Sequence, residues 1–280
     1  MTSANLPLFS VITVVYNDAV NLQKTIANVA EQKYPRVQFI VIDGGSTDNT
    51  VSVIRKNQQV ITRWKSEKDA GIYDAMNKGL LLAKGDYINF LNAGDTFYDP
   101  HVLQRVAEQV NATNTEIVYG QALHKSKIEG NVSFIKGKMI TPSALFRNVP
   151  FCHQALFVKR DLFREIGTYD ITYKIVADYE WMIRYYNTKR NTDKMHFMKE
   201  VLVEYDTDGF SFKNITQGVR EKFTIANKLF YGRYFVTGNL YFLFDRIRVL
   251  IVIGLYKAGA MQYYRKLKYE LLTKLSFARR

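Results

Sequence analysis

Residues 8–16 read LFSVITVVY and residues 37–42 read VQFIVI, and these two apolar segments decide the fold. Both are short and rich in β-branched residues, which is typical of strands buried on both faces of a sheet. Between them, Leu22, Ile26 and Val29 recur at helical spacing. A strand, a helix and a second buried strand in this order predict a parallel sheet with helices packed on it.

The same alternation continues along the first third of the chain. A helix is predicted over residues 50–57, a short strand over 61–65, a helix over 71–83 and a fourth buried strand over 87–91. After residue 95 the alternation becomes less regular. Helices are predicted over 101–110, 161–167, 177–186 and from residue 216 onwards. Strands are predicted over 116–119 and 197–205, and a hairpin over 121–138 turns near Gly130-Asn131. We therefore predict an α/β fold with a helical C-terminal extension.

Polar clusters follow three of the predicted strands where each strand ends. They are Tyr16-Asn17, Asp43-Gly44-Gly45 and Asn92-Ala93-Gly94-Asp95. In open parallel sheets, ligands bind beyond the carboxyl ends of the strands. Loops after strands are commonly polar, but three such clusters at one edge predict a binding site there.

The composition is that of a globular protein, because 47% of the 280 residues are apolar and 23% are charged. Cys152 is the single cysteine, which excludes a disulfide within the chain and fits a reducing compartment. The first residues lack the pattern of a signal peptide, and charges interrupt the most apolar run, residues 240–260. A bilayer span needs about 20 apolar residues, so we expect a cytoplasmic protein.

The net charge of +13 is concentrated at the C-terminal end. Residues 211–280 contain 14 Lys and Arg against 3 Asp and Glu, whereas residues 1–210 contain 25 against 23. A basic, aromatic-rich helical region predicts binding to an anionic membrane surface, here the inner face of the cell membrane. The alternative is a helical subdomain packed on the body with a solvated basic face. No nucleic-acid recognition motif is present, so nucleic acid is not an expected partner.

Three runs carry a family resemblance: FSVITVVYN at residues 9–17, VIDGGSTDNT at 41–50 and SEKDAGIYDAMNKGLLLAKGDYINFLNAGD at 66–95. In this order and spacing they resemble inverting family-2 glycosyltransferases with the Rossmann-like GT-A fold. The bacterial enzymes that build colanic acid, O-antigen and capsule are the members they resemble. The resemblance is close over residues 8–100 and looser to about residue 212.

The resemblance implies a set of residues that bind a nucleotide-sugar donor. In chain order they are Thr13, Tyr16, Asp43, Glu67, Asp69, Asn92, Gly209 and Ser211. Asp43 is expected to accept hydrogen bonds from uracil or ribose, with Thr13 and Tyr16 lining the base pocket. Asp69 is expected near the ribose and diphosphate. Gly209 and Ser211 lie in a loop that resembles one closing over the family's site.

Residues 92–95 occupy the place where the family often carries a metal-binding DxD motif. Asp95 matches its final acid, while Asn92 and Gly94 replace acids. Mg²⁺ or Mn²⁺ is still expected as a cofactor, because phosphates and waters complete the shell of such a cation. His153 is a second candidate ligand. The alternative is a plain turn with Gly94 at positive φ.

The run Ala177-Asp178-Tyr179-Glu180-Trp181 resembles the segment in which this family carries its catalytic base. Asp178 is expected to take the proton from the acceptor hydroxyl during an inverting transfer. Glu180, Trp181 and Gln154 are expected on the acceptor side, with Glu180 as the alternative base. The structural alternatives are that Asp178 only caps its helix and that Trp181 packs in the core.

These observations predict three functional regions: residues 1–120 for nucleotide-sugar binding, 121–212 for the acceptor and the base, and 213–280 as a basic amphipathic extension. The expected reaction moves one hexosyl or N-acetylhexosaminyl unit from a UDP-sugar to a hydroxyl of a lipid-linked saccharide. Two rivals remain. A sugar nucleotidyltransferase would need a Gly-rich, basic loop where residues 16–19 lie, and a non-catalytic module would bind nucleotide sugar or membrane only. The sequence identifies neither the sugar nor the oligomeric state.

Overall fold

The computed structural model of the chain describes residues 6–113, 115–126, 132–147, 150–206 and 214–257. Within these ranges the strands form one mixed sheet. Its parallel half has the order β3-β2-β1-β4 and consists of β1 (Phe9–Val15), β2 (Val37–Asp43), β3 (Arg63–Ser66) and β4 (Tyr87–Phe90). The four strands predicted from the apolar runs are thus confirmed, and their carboxyl ends share one edge.

The other half of the sheet mixes strand directions. In spatial order after β4 it contains β8 (Leu156–Lys159), β6 (Ile117–Ser126), β9 (Met195–Asp206) and β5 (Thr96–Phe97), with β7 (Val132–Lys136) paired to β6. β8 is antiparallel to both β4 and β6, whereas β6 and β9 are parallel. The β6–β7 pair confirms the predicted hairpin, whose turn near Gly130-Asn131 lies outside the described residues.

The strand predicted over residues 116–119 and the first arm of the hairpin are one strand, β6. The sequence pattern breaks at Gly120 because a Cβ there would come within 2.5 Å of Leu202 on β9. The register between β6 and β9 also shifts next to this glycine. A tertiary contact therefore explains the glycine, while β6 continues through it. Residue 120, the predicted limit of the donor-binding half, lies inside this strand, so that division stays a functional prediction.

Helices cover both faces of the sheet. They are α1 (Ala19–Ala30), α2 (Thr50–Lys56), α3 (Ile72–Leu82), α4 (Val102–Thr113), α5 (Pro142–Leu145), α6 (Leu162–Glu165), α7 (Ala177–Lys189), α8 (Ile215–Leu229) and α9 (Gly232–Lys257). Alternate strand residues divide the core into two layers. Ile12 and Ile42 share one layer with α3 and α7, and Val11 and Val41 share the other with α1 and α4. This is the two-sided burial that continuous apolar strands predict.

The C-terminal helices confirm the predicted extension and also contribute to the core. Ile225 of α8 and Phe242 of α9 are fully buried, and Phe230 between the helices contacts Phe146 with ring centroids 4.8 Å apart. No helix in the described ranges is long and apolar enough to span a membrane. Because deleting α8 and α9 would uncover this part of the core, the predicted binding of the C-terminal region to a membrane is better tested by substitution than by truncation.

Candidate active site

Asp43 ends β2, and its carboxylate organises the loop that follows. Its oxygens accept from the backbone N–H groups of Gly45 and Ser46 at 3.2 and 3.1 Å, and from the hydroxyls of Ser46 and Ser66 at 2.5 and 2.6 Å. The side chain is fully buried. Three of the four bonds reach Oδ2 and one, from the Ser46 hydroxyl, reaches Oδ1, so the contact of Asp43 with a donor nucleoside stays a prediction.

Tyr16 and Asp69 face each other across Gly44 at the carboxyl edge of the sheet. A Cβ on Gly44 would lie 2.4 Å from Asp69 Oδ2 and 3.4 Å from the Tyr16 ring, so glycine permits this close approach. Asp69 Oδ1 accepts from Gly71 N at 2.9 Å, which fixes the carboxylate. The Tyr16 ring is 64% exposed. An open aromatic face and an oriented carboxylate beside it are suited to a nucleoside.

Two predicted donor residues lie elsewhere in this region. Thr13 is fully buried in β1, and its hydroxyl donates to Leu91 O at 2.5 Å, so it supports the edge of the site from within the core. Glu67 forms ion pairs with Lys65 and Lys78 at 2.8 and 3.2 Å, and hydrogen bonds from these two lysines hold its pKa below the usual range. Glu67 is therefore an ionised surface carboxylate engaged with lysines.

Four side chains from distant segments form a continuous hydrogen-bonded relay. Asn92 Nδ2 lies 3.2 Å from His153 Nε2, and His153 Nδ1 lies 3.3 Å from Asp178 Oδ2. The Tyr73 hydroxyl donates to Asp178 Oδ1 at 2.9 Å. A proton on Nδ1 donates to the Asp178 carboxylate, while Nε2 faces the Asn92 amide. We call these four residues the Asp178 relay.

Asp178 is the second residue of α7, whose N-cap position is Val176. Its side chain is 15% exposed. Burial alone would raise the pKa of Asp178, but the hydrogen bond and the charge interaction with His153, together with hydrogen bonds from Tyr73 and from the backbone N–H of Tyr179, outweigh that effect and hold the pKa below its usual value. The group is thus an ionised carboxylate at neutral pH, held by two side chains, and its contacts exceed those of a simple helix cap.

A second pair of contacts holds Asp95. Gln154 Nε2 donates to Asp95 Oδ2 at 2.9 Å, and the Cys152 thiol donates to Gln154 Oε1 at 2.8 Å. Gln154, predicted on the acceptor side, is buried and orients this carboxylate. Burial raises the pKa of Cys152 to about 12, so the thiol stays protonated and acts as a donor. The predicted His-Gln pair therefore supports both acids of the site.

The residues around Asp95 can be compared with the needs of a divalent cation. No group of three or more His, Cys, Asp or Glu side chains within the described part of the chain forms a metal cage. The Oδ1 atom of Asn92 is buried and has no hydrogen-bond partner there. Mg²⁺ and Mn²⁺ need few protein ligands when phosphates and waters complete the shell. The residues therefore fit a cation that is held chiefly by a diphosphate, with Asp95 as the protein carboxylate.

The other features of this loop are those of a turn. Gly94 has a φ of 96°, as a turn at this position requires. His153, the second predicted metal ligand, uses both ring nitrogens within the Asp178 relay. Binding of a metal at Nε2 would require loss of its contact with Asn92.

Two residues predicted on the acceptor side have structural contacts. Glu180 is buried, and burial raises its pKa although the pairing with Arg184, at 2.8 Å, opposes that shift. Trp181 is buried, stacks on Phe163 and donates its indole N–H to Gly167 O at 2.7 Å. The structure therefore does not bring Glu180 to the relay, and it packs Trp181 against the wall of a small cavity below Asp178. Gly209 and Ser211 lie outside the described residues.

Tyr73 is the site residue that the sequence reasoning missed. It lies in the first turn of α3 and is buried against Tyr169, with ring centroids 5.3 Å apart. Tyr73 lies within the run at residues 66–95 that resembles the family, but nothing in the local pattern indicates that its hydroxyl reaches a residue 105 positions away. The sequence feature that could have indicated this role is a tyrosine at the start of a helix on the carboxyl edge of the sheet.

Comparison with known proteins identifies the family to which this architecture belongs. The family model described as glycosyl transferase family 2 matches residues 10–167. The chain belongs to glycosyl transferase family 2. An uncharacterised glycosyltransferase of Mycobacterium tuberculosis is 34% identical over 220 residues, covering 75% of this chain and 78% of that protein. A PGL/p-HBAD biosynthesis glycosyltransferase of Mycobacterium bovis is 31% identical over 210 residues, covering 72% and 78%.

Solved structures confirm the GT-A fold of this glycosyltransferase. TarS residues 1–349 of S. aureus, in complex with UDP-GlcNAc, superimposes with a TM-score of 0.63, at 14% identity, over 84% of this chain and 70% of that one. A mannosyltransferase from Pyrobaculum calidifontis, in complex with GDP-Man and Mn²⁺, gives a TM-score of 0.64, at 15% identity, over 96% and 81%. At these identities the likeness concerns the fold.

The hydrogen bonds of Asp43 predict a measurable effect on stability. Replacing Asp43 by alanine leaves four donors without their acceptor, and we expect a loss of roughly 3 kcal/mol in the free energy of unfolding. Denaturant unfolding followed by circular dichroism measures this loss. Asp161→Ala is the control, because that side chain is 68% exposed and should change stability by no more than about 0.5 kcal/mol. Equal midpoints for the two variants would contradict the structural role of Asp43.

Proposed function

We propose that this transferase moves a single sugar from a UDP-sugar to an acceptor hydroxyl with inversion at the anomeric carbon. The observation that carries the proposal is the ionised Asp178 carboxylate, fixed by the relay near the carboxyl edge that also presents Tyr16 and Asp69. Inverting transfer needs one such carboxylate as a general base. The family gives the reaction class, and the placement of Asp178 supports its role.

The chemistry at Asp178 follows from its environment. As the acceptor oxygen attacks the anomeric carbon, the hydroxyl proton moves to the carboxylate, and the bond to UDP breaks with its electron pair leaving on the diphosphate. Attack from the face opposite UDP inverts the configuration, as in inverting glycoside hydrolysis with a sugar hydroxyl in place of water. The relay holds the base in position, which lowers the entropic cost of reaching the reactive geometry.

The donor end of the site consists of Tyr16, Asp69 and Asp43. The Tyr16 ring offers an exposed face for the base, and Asp69 Oδ2 offers an acceptor for ribose hydroxyls. We favour UDP as the donor nucleotide because TarS, which has a similar fold, is solved with UDP-GlcNAc. The mannosyltransferase from Pyrobaculum calidifontis is solved with GDP-Man, so a guanine nucleotide is the alternative donor. A thermal-shift series with UDP- and GDP-sugars distinguishes them, since the better ligand raises the melting temperature more at equal concentration.

Asp178→Asn tests the assigned base. The amide keeps the shape of the side chain but cannot accept the proton, so we expect the transfer rate to fall by roughly 10²- to 10⁴-fold. Affinity for UDP, measured by calorimetry, should stay within about twofold, because a general base contributes to the chemical step rather than to donor binding. Turnover equal to that of the unaltered enzyme would remove Asp178 from the mechanism. Retained UDP binding together with lost turnover would also argue against a purely non-catalytic binding module.

A divalent cation is the cofactor we propose, with Asp95 as its protein carboxylate. When bound, Mg²⁺ or Mn²⁺ would neutralise charge on the departing diphosphate. Gln154 and the Cys152 thiol keep the Asp95 carboxylate oriented toward that role. The Mn²⁺ in the archaeal mannosyltransferase structure is in keeping with this proposal.

Asp95→Asn tests the cation site with a readout separate from turnover. We expect Mn²⁺ to increase the affinity of the unaltered enzyme for UDP. In the variant this increase should be roughly tenfold smaller, because a carboxylate ligand is lost. Calorimetric titration of UDP with and without Mn²⁺ measures the affinity for UDP and the effect of the cation on it, in the unaltered enzyme and in the variant. Asp161→Asn, which changes an exposed acid, serves as the control. An undiminished Mn²⁺ effect in Asp95→Asn would exclude Asp95 as the ligand.

We also propose that α9 lies on an anionic membrane surface and brings the enzyme to a lipid-linked saccharide. One side of this helix exposes a line of apolar side chains: Val236, Leu240, Leu243, Phe244, Ile247, Leu250 and Ile251. We call this line the apolar stripe. Arg246 and Arg248 flank Ile247 in sequence, and the C-terminal region carries most of the net positive charge. Apolar area between basic residues is the pattern of an interfacial helix, and it supports the proposal that the enzyme works at the cytoplasmic face of the membrane.

Charge introduced into the apolar stripe should weaken membrane binding. In the double variant Ile247→Glu/Ile251→Glu we expect binding to anionic liposomes to fall by at least roughly tenfold, because both burial and electrostatic attraction are lost. Sedimentation with phosphatidylglycerol vesicles measures this. The matched control is Leu81→Glu/Tyr98→Glu, which adds the same charge at two exposed apolar residues on other elements. Equal sedimentation of both double variants would contradict the membrane role of α9.

A further inference from the structure

Tyr73 has a contact pattern that a purely structural tyrosine does not need. Its hydroxyl oxygen lies 2.9 Å from Asp178 Oδ1 and 2.9 Å from the backbone oxygen of Ile175, and the backbone N–H of Asp178 also hydrogen-bonds to it. A phenol has one proton, so it donates to one of these acceptors at a time. The carboxylate, being charged, is the stronger acceptor while Asp178 is ionised.

The hydroxyl is fixed in place by packing around the ring. Tyr73 is 5% exposed, and its ring contacts Tyr169. Burial and the negative charge of Asp178 raise the pKa of Tyr73 well above its usual value. The phenol therefore stays protonated at every pH at which the enzyme is folded and assayed, and it acts as a donor or as a neutral acceptor.

We propose that Tyr73 is a positioning residue that keeps the base aligned in both of its protonation states. This inference rests on the proposed function of Asp178. Before transfer, the Tyr73 O–H donates to Asp178 Oδ1. After transfer, the acceptor proton resides on Asp178 Oδ1, the new carboxyl O–H rotates about the Cγ–Oδ1 bond toward Tyr73, the Tyr73 O–H turns to Ile175 O, and the remaining lone pair of the Tyr73 oxygen accepts from the carboxyl O–H. No proton leaves Tyr73, and His153 Nδ1 donates to Oδ2 throughout.

The advantage of this arrangement is energetic. A buried polar group without a partner is costly, and the base changes from acceptor to donor when it gains a proton. A fixed backbone N–H would suit only the ionised form, whereas a hydroxyl with a second acceptor within reach suits both. The backbone oxygen of Ile175 supplies that second acceptor, two residues before Ala177, where α7 begins. Tyr73 thus limits movement of the base during the chemical step.

Tyr73→Phe tests the proposal, because phenylalanine keeps the ring packing and removes the hydroxyl. We expect kcat to fall by roughly tenfold or more, through loss of alignment of a base that itself supplies roughly 10²- to 10⁴-fold. The KM for the donor and the affinity for UDP should stay unchanged. The acid limb of the kcat–pH profile should move to higher pH, because the lost hydrogen bond favoured the ionised form of Asp178.

The groups that face Asp178 determine how this pH profile is interpreted. His153 and Tyr73 contact Asp178 directly, and the charge of Asp178 also acts on Tyr169 and Tyr205. Burial raises the pKa of Tyr169 and Tyr205 above the usual value, so both stay neutral across the assay range. A shift of the acid limb caused by Tyr73→Phe therefore reports Asp178 rather than a tyrosine.

Tyr34→Phe is the matched control. The Tyr34 hydroxyl is also buried and donates to a backbone oxygen, that of Pro7, at 2.6 Å, far from the relay. We expect it to affect melting temperature as Tyr73→Phe does and to leave kcat and the pH profile unchanged. A kcat for Tyr73→Phe within twofold of that for Tyr34→Phe would overturn the proposal, and so would a kcat loss matched by an equal loss of UDP affinity.

Two further measurements keep the outcomes separate. A fluorinated tyrosine at position 73 keeps the ring and makes the hydroxyl a stronger donor. The acid limb of the kcat–pH profile should therefore move to lower pH. An unshifted profile would contradict the proposal even if Tyr73→Phe folds poorly. Asp178→Asn is assayed in parallel. If it is inactive while the Tyr73 variants behave as the control, this inference fails alone. If it retains turnover, the proposed base fails as well.

Discussion

The close packing of α3 on the parallel strands is the constraint on which the site depends. Gly79 permits it, because a Cβ there would lie 2.5 Å from Ile12 and 3.4 Å from Ile42. With α3 at this depth, Tyr73 at its start reaches Asp178, and the Asn77 amide bonds to both the N–H and the C=O of Tyr169. One helix thereby connects the donor-binding edge to the segment that carries the base.

The residues of the site lie on short, ordinary elements that are far apart in the chain. His153 lies in a single turn of 3₁₀ helix just before β8, and Asp178 lies in the first helical turn of α7. β8 pairs with β4, whose end leads to Asn92, so the sheet brings the histidine to the amide. The alignment of the acid therefore depends on the mixed half of the sheet as much as on the parallel half, where we propose that the donor binds.

Two carboxylates of the site show how environment separates their roles. Asp43 is surrounded by hydrogen-bond donors from its own loop and from Ser66, and this gives it a structural function as well as the proposed nucleoside contact. Asp178 has two side-chain partners, a histidine and a tyrosine, besides the backbone N–H of Tyr179, and it keeps limited contact with solvent. A carboxylate that must exchange a proton needs partners that tolerate both of its states.

The sequence by itself determined the local elements and the parallel half of the sheet, because apolar periodicity is a local signal. Its motifs identified the family by resemblance, and that resemblance predicted Asp178 as the base. Only the tertiary structure decided which candidates meet. It paired Glu180 with Arg184, packed Trp181, buried Thr13 and connected Tyr73 to Asp178 across 105 positions. Contacts between residues so far apart in the chain depend on the relative placement of whole elements, which no local pattern encodes.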